Sequence, residues 1–290
     1  MLPLLLAVLL QDTTGTRPIQ VAPRETLETV SVGAGPAVVL IPGLLGGAYS
    51  FRKVMPELDA RGYHAVAIEP LGFGESGRPR QADYSLTAQA DRIGTALDSL
   101  GISHALIVSA SLGSSIALRL AYRRPDLVRG VLSIDGGPVE SASTPGLRRA
   151  MRLAPLLKRV VGQGTIRREV RDGLLRNSGD TTWITDSVLD RYTQGPSRDV
   201  GATLDAFRGM SQSKEPERLA DHLHEIRAPV LLLFGTAPHE AAIDTAEVEV
   251  LRRTLPTFMI DSVPEAGQYL QEERPDAVTA ALQRLDEVAH

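Results

Sequence analysis

The sequence predicts an α/β fold: a mostly parallel sheet flanked by helices, with a helical block inserted late in the chain. Three observations predict it. Short continuous apolar runs alternate with segments of helical spacing from about residue 37 to 137. Runs of that kind fit strands buried on both faces, and their alternation with helices implies parallel pairing. The alternation then stops at Gly136-Gly137-Pro138 and resumes at Ala228.

In chain order, residues 25 to 35 and 37 to 42 read as strands, 50 to 62 as a helix from Ser50 to the stop at Gly62, and 64 to 69 as a strand. Residues 86 to 100 read as a helix with Leu86, Ala90, Ile93 and Leu97 on one face, closed by Gly101. His104 to Ser109 is the next strand, and Leu112 opens a helix that Pro125 closes. Val128 to Asp135 is the last strand before the break. From 138 to 227 the chain is Arg-rich and helical, with breakers at Pro145-Gly146, Gly162, Gly179 and Gly195-Pro196. Trp183, Leu189, Tyr192 and Met210 are expected mainly to pack this block. A strand from Ala228 to Gly235, a helix from Asp244 to Leu255, a strand from Thr257 to Ser262 and a helix from Glu273 to Val288 complete the pattern. The expected organisation is therefore an N-terminal segment (1–24), a core (25–137 and 228–290) and a helical cap (138–227).

Composition narrows the function classes. The 290 residues suit one large domain with an insertion, and 43% hydrophobic content supplies its core. A net charge of −4 gives no basic footprint for nucleic acid. The absence of cysteine excludes disulfides, Cys-ligated zinc and a thiol nucleophile. No cofactor or metal is implied; His222-x-His224 is by itself a weak metal signal. Leu2 to Leu10 is apolar but too short to span a bilayer. It suits the core of an export signal, which would place the protein in the periplasm or outside the cell. With the alternative reading, a packed N-terminal segment, the protein is cytoplasmic. Oligomeric state is not encoded in any readable pattern.

The chemistry-bearing residues lie at strand ends. Ser111, in Ser109-Ala110-Ser111-Leu112-Gly113, sits at the junction of a strand and a helix. Such a turn lifts the hydroxyl above the sheet edge and aims the Leu112 N–H at the same point. Pro42-Gly43-Leu44-Leu45-Gly46-Gly47 follows a strand directly, and its Leu44 N–H is the candidate second oxyanion donor. Glu69-Pro70-Leu71-Gly72-Phe73-Gly74 follows the next strand and supplies a tight loop beside the same pocket.

In this order, the three features resemble the α/β-hydrolase superfamily in its serine esterase and lipase branch, over about residues 25 to 290. The resemblance implies a nucleophile elbow, an oxyanion hole, a cap domain and a carboxylic-ester or similar acyl substrate. The serine argues against the branches that attack with aspartate. Four positions depart from the family pattern: Ser109 for glycine, Pro42 for histidine, Glu69 for aspartate, and Pro238 where an acid is usual. The largest departure is in Gly267-Gln268, which stands where the family has Gly-His. Glutamine hydrogen-bonds but cannot take and return a proton, so the triad is degenerate and activity is expected to be impaired. Gln268 is a natural loss or an engineered replacement.

Among the six histidines, only His239 falls on a loop at the carboxyl edge of the sheet. A relocated relay is one expectation: Ser111 served by His239, itself oriented by Asp135 or Glu240. The alternative is an inactive hydrolase fold binding a small apolar ligand under the cap.

Overall fold

The computed structural model describes residues 15–142, 162–240 and 242–289. Its centre is an eight-stranded sheet: β1 (Gly15–Ala22), β2 (Glu25–Val32), β3 (Ala37–Ile41), β4 (His64–Ile68), β5 (Ala105–Ala110), β6 (Val128–Ile134), β7 (Val230–Gly235) and β8 (Phe258–Val263). The spatial order is β1-β2-β4-β3-β5-β6-β7-β8. β1 and β2 pair antiparallel, β2 meets β4 antiparallel, and every later pair is parallel.

Alternation along the strands divides the core. Val39, Ile41 and Ile107 face one side, and Val38, Leu40, Leu106 and Val108 the other. The first face is covered by α2 (Leu86–Leu100) and α3 (Leu112–Arg123), the second by α1 (Val54–Ala60) and α10 (Pro275–Val288). Every residue of β5 is buried, which explains its unbroken apolar run. The α2 helix starts where Ser85 accepts from the Ala88 N–H and ends at Gly101, whose φ is 67°.

Between β6 and β7 lie α4 (Gln163–Arg176), α5 (Asp186–Arg198), α6 (Val200–Gln212) and α7 (Leu219–His222). Trp183, Leu189 and Tyr192 pack with Val170, Leu174 and Val188 into a cluster of their own, while Met210 joins the main core. After β7, α8 (Thr245–Thr254) is capped by Asp244, and α9 (Leu270–Glu273) precedes α10.

Four expectations are corrected. The sheet begins at Gly15, inside the stretch assigned to an N-terminal segment; β1 shows one fully buried residue, Ile19, and so carries no apolar pattern. β2 stops at Val32 because Gly33 and Gly35 adopt φ of 81° and 124°, and a Cβ at Gly35 would lie 2.1 Å from the Gly62 carbonyl oxygen. Residues 50 to 62 hold a 3₁₀ turn (Gly47–Phe51) and a shorter α1 rather than one helix. Gly195-Pro196 does not break α5, which runs to Arg198. Gly195 instead permits close packing, since a Cβ there would meet the Gly74 carbonyl oxygen at 2.0 Å. Leu2 to Leu10 and Pro145-Gly146 lie outside the described residues. Among those described, no helix is long and apolar enough to cross a membrane.

Candidate active site

The site forms where β3, β5, β6 and β8 end. Ser111 follows β5 with φ 50° and ψ −120°, a conformation that costs a non-glycine residue on the order of 1–3 kcal/mol. Its neighbours hold it there. The Ser111 N–H donates to the Ile134 carbonyl at 2.8 Å, and the Ser114 N–H to the Ser111 carbonyl at 3.0 Å. Gly113 lets α3 approach β3, because a Cβ there would lie 2.6 Å from the Ile41 oxygen. Gly136 is equally confined, 2.4 Å from the Ser111 carbonyl by the same construction. Ser109 is tolerated in place of the family glycine because its hydroxyl faces Ser114 Oγ at 3.2 Å and the Leu132 carbonyl at 3.3 Å inside the core.

The first loop lies against the elbow: a Cβ at Gly43 would sit 3.4 Å from that of Ser111. The N–H groups of Leu44 and Leu112 form no hydrogen bond among the described residues. Both residues border the space next to Ser111. The loop after β4 is organised by Glu69, whose buried carboxylate accepts from the N–H groups of Ala48 at 2.7 Å and Glu75 at 2.5 Å. Burial pushes its carboxyl above the ordinary range, partly offset by those two N–H groups.

Gln268 meets Ser111. Its Nε2 donates to Ser111 Oγ at 3.0 Å. Gly267 makes that approach possible, since a Cβ would lie 2.5 Å from the Asn177 oxygen. The Gln268 N–H then donates to the same Asn177 carbonyl at 2.8 Å. Glu273 pins the turn from below, accepting from the N–H groups of Gly267, Gly179 and Asp180 at 3.0, 3.0 and 2.9 Å. Asn177 and Glu273 escaped sequence reasoning. The Glu-Glu-Arg-Pro start of the last helix was their nearest signal.

The second polar pair is Asp135 and His239. Asp135 ends β6 at φ 44°, and His239 follows β7. His239 Nε2 lies 3.0 Å from Asp135 Oδ2, with both side chains 1% exposed. His239 Nδ1 lies 2.8 Å from the Ala237 carbonyl, which can only accept, so Nδ1 carries a proton. Burial pushes the Asp135 carboxyl up to about 6, opposed by the His239 charge and by N–H groups of Gly235 and Ile243. His239 thus faces Asp135 and the Ala237 carbonyl, and no hydrogen bond joins it to Ser111 among the described residues, so the expected relay is not formed. Glu240 does not orient the ring either. It is exposed and accepts from Arg176 Nε at 3.0 Å. Asp135 does approach the site, bordering the same cavity as Ser111.

Two cavities meet at Ser111 and Leu44. One, of about 410 Å³, is lined mostly by apolar groups including Leu112, Val139, Ala142 and Ile243, with Asp135 and Glu247 at its edge. The other, of about 230 Å³, is lined by Leu45, Asn177, Gln268, Tyr269 and Gln271. Among the described residues no cluster of three metal-ligating side chains occurs; His222 instead binds Glu225 at 2.8 Å and stacks on Tyr122.

Relatives place this architecture. The chain is 27% identical over 271 residues to haloalkane dehalogenase 2 of Mycobacterium tuberculosis, covering 89% of this chain and 91% of that one. It is 26% identical over 273 residues to the mouse sn-1-specific diacylglycerol lipase ABHD11, covering 85% and 81%. A thermophilic esterase from Thermogutta terrifontis superposes with a TM-score of 0.75 at 21% identity, covering 96% of this chain and all of that one. The family model for the alpha/beta hydrolase fold matches residues 36–181. With its parallel sheet, its strained turn after β5 and these relatives, the chain belongs to the α/β-hydrolase superfamily.

Proposed function

We infer that this hydrolase acts on carboxylic esters or similar acyl compounds, with Ser111 as nucleophile and turnover limited by Gln268. The observation that carries this reading is the strained Ser111 backbone, beside two residues, Leu44 and Leu112, whose N–H groups form no hydrogen bond among the described residues. Strain of that kind persists where the surroundings over-determine it and has no use in a plain strand-to-helix turn. The relatives include both a lipase and a dehalogenase. A serine at the nucleophile position favours acyl transfer over dehalogenation.

The chemistry follows from the donors. Ser111 Oγ attacks the carbonyl carbon, and the carbonyl oxygen, as its charge grows, is received by the N–H groups of Leu44 and Leu112. The C–O bond to the alcohol then breaks. The leaving alkoxide is protonated by solvent, which also takes the serine proton. Gln268 Nε2–H supports charge on Oγ but removes no proton. Losing a triad member lowers turnover on the order of 10⁴ to 10⁶-fold, with a residue of catalysis left to the oxyanion donors. Water attack on the acyl-enzyme lacks the same base and is slowed as well.

A second reading is favoured by Gln268 itself: a hydrolase-fold protein that binds an apolar ligand beneath the inserted helices without turning it over. Release of p-nitrophenol from p-nitrophenyl butyrate, compared with Ser111→Ala, separates the two. Slow release that disappears in the variant supports the hydrolase. Identical rates contradict it.

A further inference from the structure

Four residues of one segment, Gly137, Val139, Ser141 and Ala142, line the larger cavity beside Ser111. The segment leaves β6 and leads toward the inserted helices. Its place is set from α3, the helix that Ser111 precedes. Ser115 and Arg119 stand about one and two turns beyond Ser111, on one side of that helix. The Ser115 hydroxyl bridges the segment: Oγ donates to the Gly137 carbonyl at 2.6 Å and accepts from the Val139 N–H at 2.8 Å. Arg119 Nη1 donates to the carbonyls of Val139 and Ser115, both at 3.2 Å. Both side chains are fully buried, and neither borders the cavity itself.

The same guanidinium also holds the returning end of the insertion. Its Nε lies 3.5 Å from Glu215 Oε2, and its Nη2 donates to Glu140 Oε2 at 3.4 Å. Glu140 in turn accepts from the N–H groups of Leu219 and Ala220 at 2.8 and 2.9 Å. Apolar packing would join these parts without the desolvation cost that a buried guanidinium carries. It would lack direction, whereas hydrogen bonds to the Gly137 and Val139 backbone fix the segment in one arrangement.

We propose that Ser115 and Arg119 are positioning residues for the acyl group. By fixing the segment from Gly137 to Ala142, they set the wall of the larger cavity and with it a preference for a medium apolar acyl chain over a short one. The proposal rests on the ester reading above. An acetyl group ends close to Ser111 and gains little from that wall, whereas a hexanoyl chain extends along it.

The test uses the full chain with p-nitrophenyl acetate and p-nitrophenyl hexanoate. Release of p-nitrophenol that depends on Ser111, found by subtracting the Ser111→Ala rate, is divided by the same ester's rate with free hydroxide. The quotient for hexanoate over that for acetate is the chain-length preference. The unaltered chain should favour hexanoate. Ser115→Ala removes the bridge without adding volume, and should lower the preference about fourfold for each methylene that loses its contact with the wall. Arg119→Lys keeps the charge but not the forked donors, and should lower the preference by a smaller factor. A general loss of folded protein lowers both rates alike and leaves the preference where it was. If Ser115→Ala does not fold, Arg119→Lys decides by the same measure. A preference unchanged in either folded variant, or an unaltered chain that does not favour hexanoate, overturns the positioning role and leaves the ester reading intact. No Ser111-dependent release from either ester overturns both.

Discussion

Two polar pairs stand on the carboxyl edge of the same sheet, and they divide the expected machinery between them. At the end of β5, Ser111 is strained and hydrogen-bonded, but only to an amide. At the ends of β6 and β7, Asp135 and His239 form an acid–imidazole couple that is sealed from solvent and turned onto itself. In the proposed hydrolase, the first pair would hold a nucleophile without a histidine beside it. The second would hold a histidine without a hydroxyl beside it. Possessing the right residue types is therefore not enough. General-base catalysis needs a basic atom within hydrogen-bond reach of the hydroxyl, and no hydrogen bond joins His239 to Ser111 among the described residues.

Giving the first pair a base would erase this contrast, and it carries the largest expected effect. Gln268→His should raise p-nitrophenyl butyrate turnover by about 10²-fold or more, the usual worth of a positioned general base. No gain would mean that the rest of the site is not competent. The next largest effect belongs to the second pair. Asp135→Ala leaves the buried His239 Nε2 without its partner and should cost about 3 kcal/mol of stability, read by chemical denaturation. Asp135→Asn, which keeps a hydrogen-bonding group of the same size, should cost much less.

Titration separates the pairs further. The Asp135 carboxyl is raised from its ordinary value near 4 to about 6, so the folded state holds this proton more tightly than the unfolded chain. Its contribution to stability is present below the unfolded value and is lost as pH rises through about 6. Denaturation midpoints measured from pH 4 to 7 should lose this downward component in Asp135→Asn. The smallest effect is expected from Glu240→Ala. It removes an exposed ion pair with Arg176, and both stability and activity should stay nearly unchanged.

The legible and illegible parts of the chain separate by physics. β3, β5 and β7 are buried on both faces, so their apolar runs are visible in the sequence. β1 is an edge strand with a mostly exposed pattern, and nothing in its residues marks it. Gly195-Pro196 reads as a breaker because glycine's role there is clearance from Gly74, a tertiary contact. In the site, the meeting of Gln268 with Ser111 was readable, since Gly267 and the following helix start fix the register. The pairing of His239 with Asp135 was one of the two orientations expected, but that His239 makes no hydrogen bond to Ser111 was not readable. Loop side chains carry no periodicity, and the choice between Ser111 and Asp135 depended on where Ala237 placed its carbonyl. The supporting contacts of Glu273 with three backbone N–H groups were hidden for the same reason.

If Ser111 is the nucleophile and the Leu44 and Leu112 N–H groups are its oxyanion donors, as proposed, the acylation half of an acyl transfer should still proceed. Intact-protein mass spectrometry after exposure to p-nitrophenyl butyrate reads that step alone. One butyryl group should accumulate on the protein, map to Ser111 and be absent from Ser111→Ala. A protein that acquires no butyryl group, or acquires it equally in Ser111→Ala, would show that Ser111 is not the nucleophile.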